Sequence, residues 1–565
     1  MSGSTARLRR AAARAIGHGR GWATPRGRRA AAPWTGRRHA AGARVKTVRA
    51  VVGVSLGLTL IGGCTTEGSG RDRTLPVKSR VTLRVLASSE LQDMRPVLDA
   101  AREATGIGVE ATWSGTLDAV EQIASGKADG VYDAVWLSSN DYLRLRPGVG
   151  SRISSETPIM TSPVALGVRT QTVRRLGWQP DDVTWTQVHR AVADGRLTYG
   201  MTDPVRSNSG FSALISVASG LSGAQSALTD ADVRTATPKL KEFFAGQQLT
   251  SGSSGWLATA YARRTSVDAL VNYESVLLSM NRDSRAGLTV IRPKDGVVTA
   301  DYPFTLLTSA TSQARAAGRS LTTYLREAEA QRAITGKTLR RPVVAGVRPA
   351  AALAAGTRRE LPFPGTRSVA DGLLEAYDNR LRRPSRTVYV LDTSGSMEGE
   401  RLQRLKDALT ELTEDFRDRE EVTLMPFGSA VKRVRTHTVD PDGPDAALRA
   451  IRADAAALSA EGETAIFSSL QDAYEHLGRA DSTKTFTSIV LMTDGENTTG
   501  ARPAAFDAYY GRLPAGRRHT PVFPILFGDS DRAELEHIAT LTGGRLFDAT
   551  KGSLDGAFEE IRGYQ

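Results

Sequence analysis

Thr387-Val-Tyr-Val-Leu-Asp-Thr-Ser-Gly-Ser396 decides the fold of the second half of this 565-residue chain. Thr387 to Leu391 is β-prone and nearly all apolar, as expected of a strand covered on both faces of a parallel sheet. It ends in one carboxylate, Asp392, followed by hydroxyls at alternate positions, Ser394 and Ser396. In a doubly wound sheet, ligands collect at the carboxyl ends of the strands. A second apolar strand, FTSIVLMTDG (486–495), ends likewise at Asp494, and Gly462-Glu463-Thr464 stands between the two, just before a helical stretch. Asp392, Ser394, Ser396, Thr464 and Asp494 are all oxygen donors, without cysteine or histidine. Such a set suits a hard divalent cation, Mg2+ first, with Mn2+ or Ca2+ as alternatives. Each motif alone is commonly a cap or a turn; the three together carry the reading.

Outward from this stretch the α/β rhythm continues. Strands are expected at 422–428, 431–437, 522–528 and 544–549, and helices at 401–416, 442–458, 465–479, 531–541 and up to Ile561. Upstream, residues 346–367 are rich in Ala, Pro, Gly and Arg and read as a connector, followed by a helix over 368–381. Residues 80–345 form a second α/β region. VTLRVLAS (81–88), IGVEATWSG (107–115), YDAVWLSS (132–139), MTSPVALGVR (160–169) and LTYGMTDP (197–204) read as strands between helices, which predicts a mostly parallel sheet. Beyond Leu221 the pattern is less regular until SVDALVNYESVLLSMN (266–280 and Asn281).

Small polar groups recur at the loops of that region: Ser88, Ser89, Ser114, Thr116, Ser207, Asn208 and Ser209, with Tyr273 later. Hydroxyls at helix starts suit a small polar solute or an oxyanion, although each alone also serves as a helix cap. Glu90 and Glu274 would oppose an anion if they faced the same cleft.

The composition is globular: 40% hydrophobic and 24% charged, with a net charge of +13 and one cysteine. Residues 1–63 hold 13 of the cations and no acid, so residues 64–565 are formally neutral. The basic charge therefore supplies no argument for nucleic-acid binding. Ala50 to Gly63 is uncharged and mostly apolar, too short to span a bilayer, and runs into Cys64. Thr65 to Lys78 reads as a polar tether. Val45 to Cys64 has the length and order of a complete export signal, so translation is expected to start at Val45; the alternative is a true targeting segment, a basic arm, over residues 1–44. With one cysteine, no intrachain disulfide forms.

Leu60-Ile61-Gly62-Gly63-Cys64 resembles a bacterial lipobox. The resemblance implies cleavage before Cys64, a diacylglycerol on its thiol, and a lipid anchor on the extracytoplasmic face of the cell membrane. Residues 384–562 resemble the von Willebrand factor A domain: DTSGS matches that family's D-x-S-x-S, Thr464 its loop threonine, and Asp494 the aspartate after the fourth strand. The family's metal-ion-dependent adhesion site implies that Ser394, Ser396 and Thr464 supply hydroxyl ligands. Asp392 and Asp494 would act largely through water or hydrogen bonds. A partner protein's carboxylate would complete the coordination. Residues 80–345 resemble bacterial extracellular solute-binding proteins of the molybdate and sulfate type, with two lobes and a cleft.

The expected fold class is α/β: a two-lobed periplasmic-binding-protein-like domain, then a Rossmann-like doubly wound von Willebrand factor A domain. The expected boundaries are a leader (1–63), a tether (64–79), the solute-binding-like domain (80–345), a connector with its helix (346–383) and the second domain (384–565). The expected function is that of a membrane-anchored binding lipoprotein, with metal-dependent protein binding or adhesion and a solute site in the first domain. The alternative is the solute-binding component of an ABC-type importer. An enzyme is not expected. Gly336-Lys337-Thr338, the nearest phosphate-loop candidate, has Gln331 where the first glycine belongs, and neither a Gly-x-Ser-x-Gly elbow in a strand–turn–helix setting nor His-Glu-x-x-His occurs.

Overall fold

The computed structural model describes residues 81–264, 266–353, 359–413, 416, 419–478, 485–514, 516–518, 520–550, 554–562 and 564. The leader, Cys64 and the tether lie outside the described residues. The described residues belong to one compact unit. Among the described residues no helix is long and apolar enough to cross a membrane.

Three sheets organise the chain. The first contains β1 (Val81–Ser88), β2 (Ile107–Ser114), β3 (Ala134–Trp136), β4 (Ile153–Pro158) and β11 (Pro303–Leu307), in the order β2-β1-β3-β11-β4. The second runs β10-β5-β8-β6-β7, from β5 (Met160–Arg169), β6 (Tyr199–Thr202), β7 (Gln247–Ser251), β8 (Ala269–Tyr273) and β10 (Thr299–Ala300). Two further strands, β9 (Leu288–Ile291) and β12 (Arg341–Pro342), pair with β5. These sheets are the cores of two lobes. The chain crosses between them at Pro158–Met160, again between β10 and β11, and a third time between β11 and β12.

The expected mostly parallel sheet of the first domain is corrected to two mixed sheets. β11 is antiparallel to both β3 and β4, and β5 is antiparallel to β8, β9, β10 and β12. The return crossing brings the chain into the first lobe against the direction of β3, which strand hydropathy alone does not encode. The irregular stretch after Leu221 contains the helix Asp230–Ala245, strand β7 and the helix Ser254–Ala262. Pro238 inside the first of these hides its helical signal.

The third sheet contains β13 (Ser385–Asp392), β14 (Glu421–Phe427), β15 (Arg435–Thr438), β16 (Phe486–Thr493), β17 (Val522–Leu526) and β18 (Phe547–Asp548), in the order β15-β14-β13-β16-β17-β18. It is parallel except for the edge strand β15. One face buries Tyr389, Leu391, Leu405 and Phe558, and the other buries Val388, Val390, Phe467 and Ile538. Alternate residues of β13 thus serve opposite cores, which explains its unbroken apolar run.

The connector helix Arg367–Ala376 joins the first domain's core through Val369, Ala370, Leu373 and Leu374. It continues into a π-helical turn, Tyr377–Leu381, just before β13.

Candidate functional site

β13 and β16 are direct neighbours in parallel register, so their carboxyl ends emerge side by side. This adjacency brings Asp392 to Asp494 across about a hundred residues of sequence. Asp392 is buried; its Oδ1 accepts from the Ser394 amide at 2.8 Å and its Oδ2 from the Thr493 hydroxyl at 2.6 Å. Ser394 Oγ and Ser396 Oγ lie 3.0 Å apart, and Ser396 Oγ donates to Asp494 Oδ1 at 2.8 Å. A Cβ built on Gly495 would lie 3.8 Å from Ser396 Oγ and 4.0 Å from Thr464 Oγ1, so Gly495 sits between those hydroxyls. All five sequence-predicted donors thus border one spot at the carboxyl edge of the sheet.

Three loops are pinned together there. The Gly395 amide donates to the Gly462 carbonyl at 2.9 Å, and the Glu461 amide to the Thr393 carbonyl at 2.9 Å. The Thr464 amide donates to Thr498 Oγ1 at 2.9 Å, and the Thr498 amide returns a bond to the Thr464 carbonyl. Gly528, at φ +87°, passes so close that a Cβ would meet the Asp494 carbonyl oxygen at 3.0 Å; a side chain there would be strained by its backbone conformation and would press on that carbonyl.

Two cations flank the carboxylates. Lys432 Nζ donates to the Thr393 carbonyl at 2.8 Å and the Ser459 carbonyl at 3.1 Å. Arg401 Nη1 donates to Asp494 Oδ2 at 2.7 Å, and its Nη2 to Asp529 Oδ2 at 3.1 Å. Burial pushes the Asp392 carboxyl above its ordinary range; bonds from Thr493 and Ser394 oppose the rise, and the charge of Asp494 adds to it. Burial likewise pulls the Lys432 ammonium down, against the attraction of Glu461 and Asp392. Glu463 and Glu496 are exposed.

The first domain's predicted residues gather in two groups. In the first lobe, Ser88 Oγ lies 2.9 Å from Thr116 Oγ1, which lies 3.1 Å from Ser138 Oγ. In the second, Ser209 Oγ lies 2.8 Å from Thr202 Oγ1, 3.1 Å from Ser207 Oγ and 2.7 Å from Ser254 Oγ. Asn208 Nδ2 donates to the Tyr273 hydroxyl at 3.0 Å, and that hydroxyl also faces Ser138, so the lobes meet here. The Leu117 amide reaches the Arg206 carbonyl at 3.4 Å across the same junction. Ser89 and Ser114 are half-buried and stand outside this network.

Glu274 does not stand as an unopposed negative charge. It is buried and receives Arg292 Nη1 at 2.7 Å and both Nε and Nη2 of Arg341 at 2.8 Å. Burial raises the Glu90 carboxyl, with the charge of Arg340 opposing the rise. Lys337 lies in the last turn of the helix Ala328–Thr338, so Gly336-Lys337-Thr338 has no helix N-terminus to present to a phosphate.

Sequence reasoning missed Thr493, Arg401 and Lys432 at the first site and Ser138, Thr202 and Ser254 at the cleft. Thr493 and Ser138 carry the same signal as the residues found, a hydroxyl at the end of an apolar strand. Arg401 and Lys432 carry none, because only the tertiary fold brings them in.

Residues 83–337 match the family model for Bacterial extracellular solute-binding protein, and residues 387–496 match that for the von Willebrand factor type A domain. Inter-alpha-trypsin inhibitor heavy chain H4 of Sus scrofa is 28% identical over 180 residues, covering 30% of this chain and 19% of that protein. Heavy chain H1 of Bos taurus is 30% identical over 192 residues, covering 31% of this chain and 20% of that protein. This chain thus spans about a fifth of the length of these relatives. Among solved structures, the periplasmic binding protein AfuA from Actinobacillus pleuropneumoniae aligns with a TM-score of 0.45 at 12% identity, over 54% of this chain and 99% of that one. The sulfate-binding protein SubI from Mycobacterium tuberculosis H37Rv aligns with a TM-score of 0.41 at 16% identity, over 52% and 98%. By the two family-model matches, the chain joins a solute-binding domain of the bacterial extracellular type to a von Willebrand factor type A domain.

Proposed function

We propose that this protein works on the extracytoplasmic face of the cell membrane as a lipid-anchored binding protein, with Cys64 as the anchor. Its second domain captures a protein partner through a divalent cation, and its first domain takes a small polar solute between its lobes. The observation that carries the reading is the convergence of Asp392, Ser394, Ser396, Thr464 and Asp494 on one spot.

The donor set fits a small hard cation. Metal–oxygen bonds of 2.0–2.1 Å in an octahedron put neighbouring oxygens about 2.9 Å apart. The Ser394–Ser396 and Ser396–Asp494 oxygens are 3.0 and 2.8 Å apart, which also suits the hydrogen bonds they make. Ser394, Ser396 and Thr464 would hold the ion, with Asp392 and Asp494 orienting the hydroxyls. Mg2+ fits best, with Mn2+ or Ca2+ as substitutes. The ion would supply an electrophilic point for the partner's carboxylate. No step here requires catalysis.

Crosslinking capture on intact cells tests this reading. Capture of a partner is expected with Mg2+, and is lost with chelator or in Asp392→Ala. Equal capture in all three conditions contradicts it. Lipid labelling is expected to vanish in Cys64→Ala, and its persistence contradicts the anchor.

The match over residues 83–337 also favours a second reading, the solute-binding component of an ABC-type importer. Removing the second domain abolishes partner capture under the first reading and leaves solute uptake intact under the second.

A further inference from the structure

Arg401 reaches the metal-type site from its solvent side. It stands in the first turn of the helix Glu400–Leu412, and its side chain is 38% exposed whereas that of Asp494 is 0% exposed. One oxygen of Asp494 takes the Ser396 hydroxyl, and the other takes the guanidinium at 2.7 Å. The second arm of the guanidinium rests on Asp529, which is 91% exposed. A pocket of about 340 Å3, lined by Ser396, Glu398, Glu400, Arg401 and Arg404, opens beside it.

The local charges decide what this contact does. Asp392, Asp494, Asp529 and Glu461 bring four negative charges to this neighbourhood, against two positive ones on Lys432 and Arg401. Lys432 is fixed by the Thr393 and Ser459 carbonyls. Arg401 has a long side chain at the rim, room to swing, and a second carboxylate already in hand. While it stays on Asp494, the guanidinium takes one carboxylate oxygen and repels an incoming divalent ion. When it leaves, the field favours the ion.

We propose that Arg401 is a resident counter-cation, which occupies Asp494 while no divalent ion is bound and withdraws onto Asp529 when one enters. This rests on the metal reading above and deepens it. Cation affinity is set by an exchange of one positive charge for another, not by the ligands alone. Asp494 keeps a cationic partner in either arrangement.

Mn2+ binding to the full chain, followed by the electron paramagnetic resonance of the free ion, tests the exchange. Arg401→Gln is expected to tighten Mn2+ binding roughly tenfold, within the range of ordinary site coupling. Asp529→Asn, which removes the resting place, is expected to weaken it about threefold. A purely structural tie predicts the opposite sign for Arg401→Gln, because a loosened Asp494 would hold the ion less well. Arg401→Gln is also expected to melt at a lower temperature in chelator and to gain more from Mn2+ than the natural protein. Unchanged or weaker Mn2+ affinity in folded Arg401→Gln overturns the exchange and leaves the metal reading standing. No Mn2+ binding by the natural protein overturns both.

Discussion

The Tyr142 hydroxyl, in the first lobe, donates to Asp371 Oδ1 of the connector helix at 2.7 Å. The same helix packs into the first domain's core through Val369 and Leu373, and Tyr142 and Phe363 each meet the second-lobe residue Phe211 edge-on, at 5.5 and 5.3 Å. The segment leading into the second domain is therefore strapped across both lobes of the first. Burial and the neighbouring Asp371 carboxylate push the Tyr142 hydroxyl up to about 12, so it stays a donor throughout the neutral range.

Tyr142→Phe removes that bond and the hydroxyl's contact with Arg146, while Asp371 keeps Arg367 Nε at 3.0 Å. A hydrogen bond to a charged acceptor contributes about 1.5–3 kcal/mol, and the exposed side of Asp371 favours the lower end. Urea denaturation is expected to show a loss of about 1.5 kcal/mol. No measurable loss would mean that the strap does not hold in solution.

Glu420 joins the connector, the first strand of the second domain and its last helix. It is buried and receives Arg562 Nη2 on both oxygens at 3.0 Å, Ser385 Oγ at 2.9 Å and Arg382 Nη2 at 3.4 Å. Removing one partner from a buried ion pair leaves the other uncompensated and costs about 3–5 kcal/mol. Glu420→Ala is therefore expected to lower stability by about that amount, measured by guanidinium unfolding. Glu420→Gln, which keeps an acceptor oxygen, is expected to lose less. Equal losses would place the whole effect in the lost charge, and no loss in Glu420→Gln would place it in packing.

Asp301 lies on the return crossing between the lobes, beside Tyr302 at φ +43°. Burial pushes its carboxyl up to about 6; the charges of Asp141 and Glu156 add to the rise, and Arg144 opposes it. A raised carboxyl binds its proton more tightly when folded. Its contribution to stability is thus fully present below about pH 4 and is lost as pH rises through about 6. At pH 7.5 the ionised side chain is a cost. Asp301→Asn is expected to be more stable there by about 2 kcal/mol, after discount for its partial exposure, and the advantage is expected to fade toward pH 4. Thermal melting across that range checks it; a pH-independent difference would contradict the assignment.

The legible parts of this fold are those whose signal is local. The apolar strands ending at Ser88, Asp392 and Thr493 announced themselves by composition, and so did the hydroxyls and carboxylates at their ends. Three features were not local. The helix Asp230–Ala245 carries Pro238 and a weak apolar face, so its pattern reads as irregular. The expected strand over 431–437 is corrected to Arg435–Thr438, because Lys432 turns inward to the Thr393 and Ser459 carbonyls instead of continuing the edge. The neutralisation of Glu274 by Arg292 and Arg341 depends on β9 and β12 both pairing with β5, a tertiary fact. The metal-type donors were readable because each stands at a strand end or helix start. Their counter-charges were not, because they arrive from other elements.

The measurement that bears most directly on the central claim is a calorimetric titration of Mg2+ and Mn2+ into the full chain and into its Ser394→Ala and Asp392→Ala variants. The natural protein is expected to bind one ion. Ser394→Ala is expected to weaken binding by a factor of ten or more through loss of a ligand hydroxyl. Asp392→Ala is expected to do so through loss of the carboxylate that takes both the Ser394 amide and the Thr493 hydroxyl. Equal binding by all three proteins, or none by the natural one, would contradict a cation site at the ends of β13 and β16.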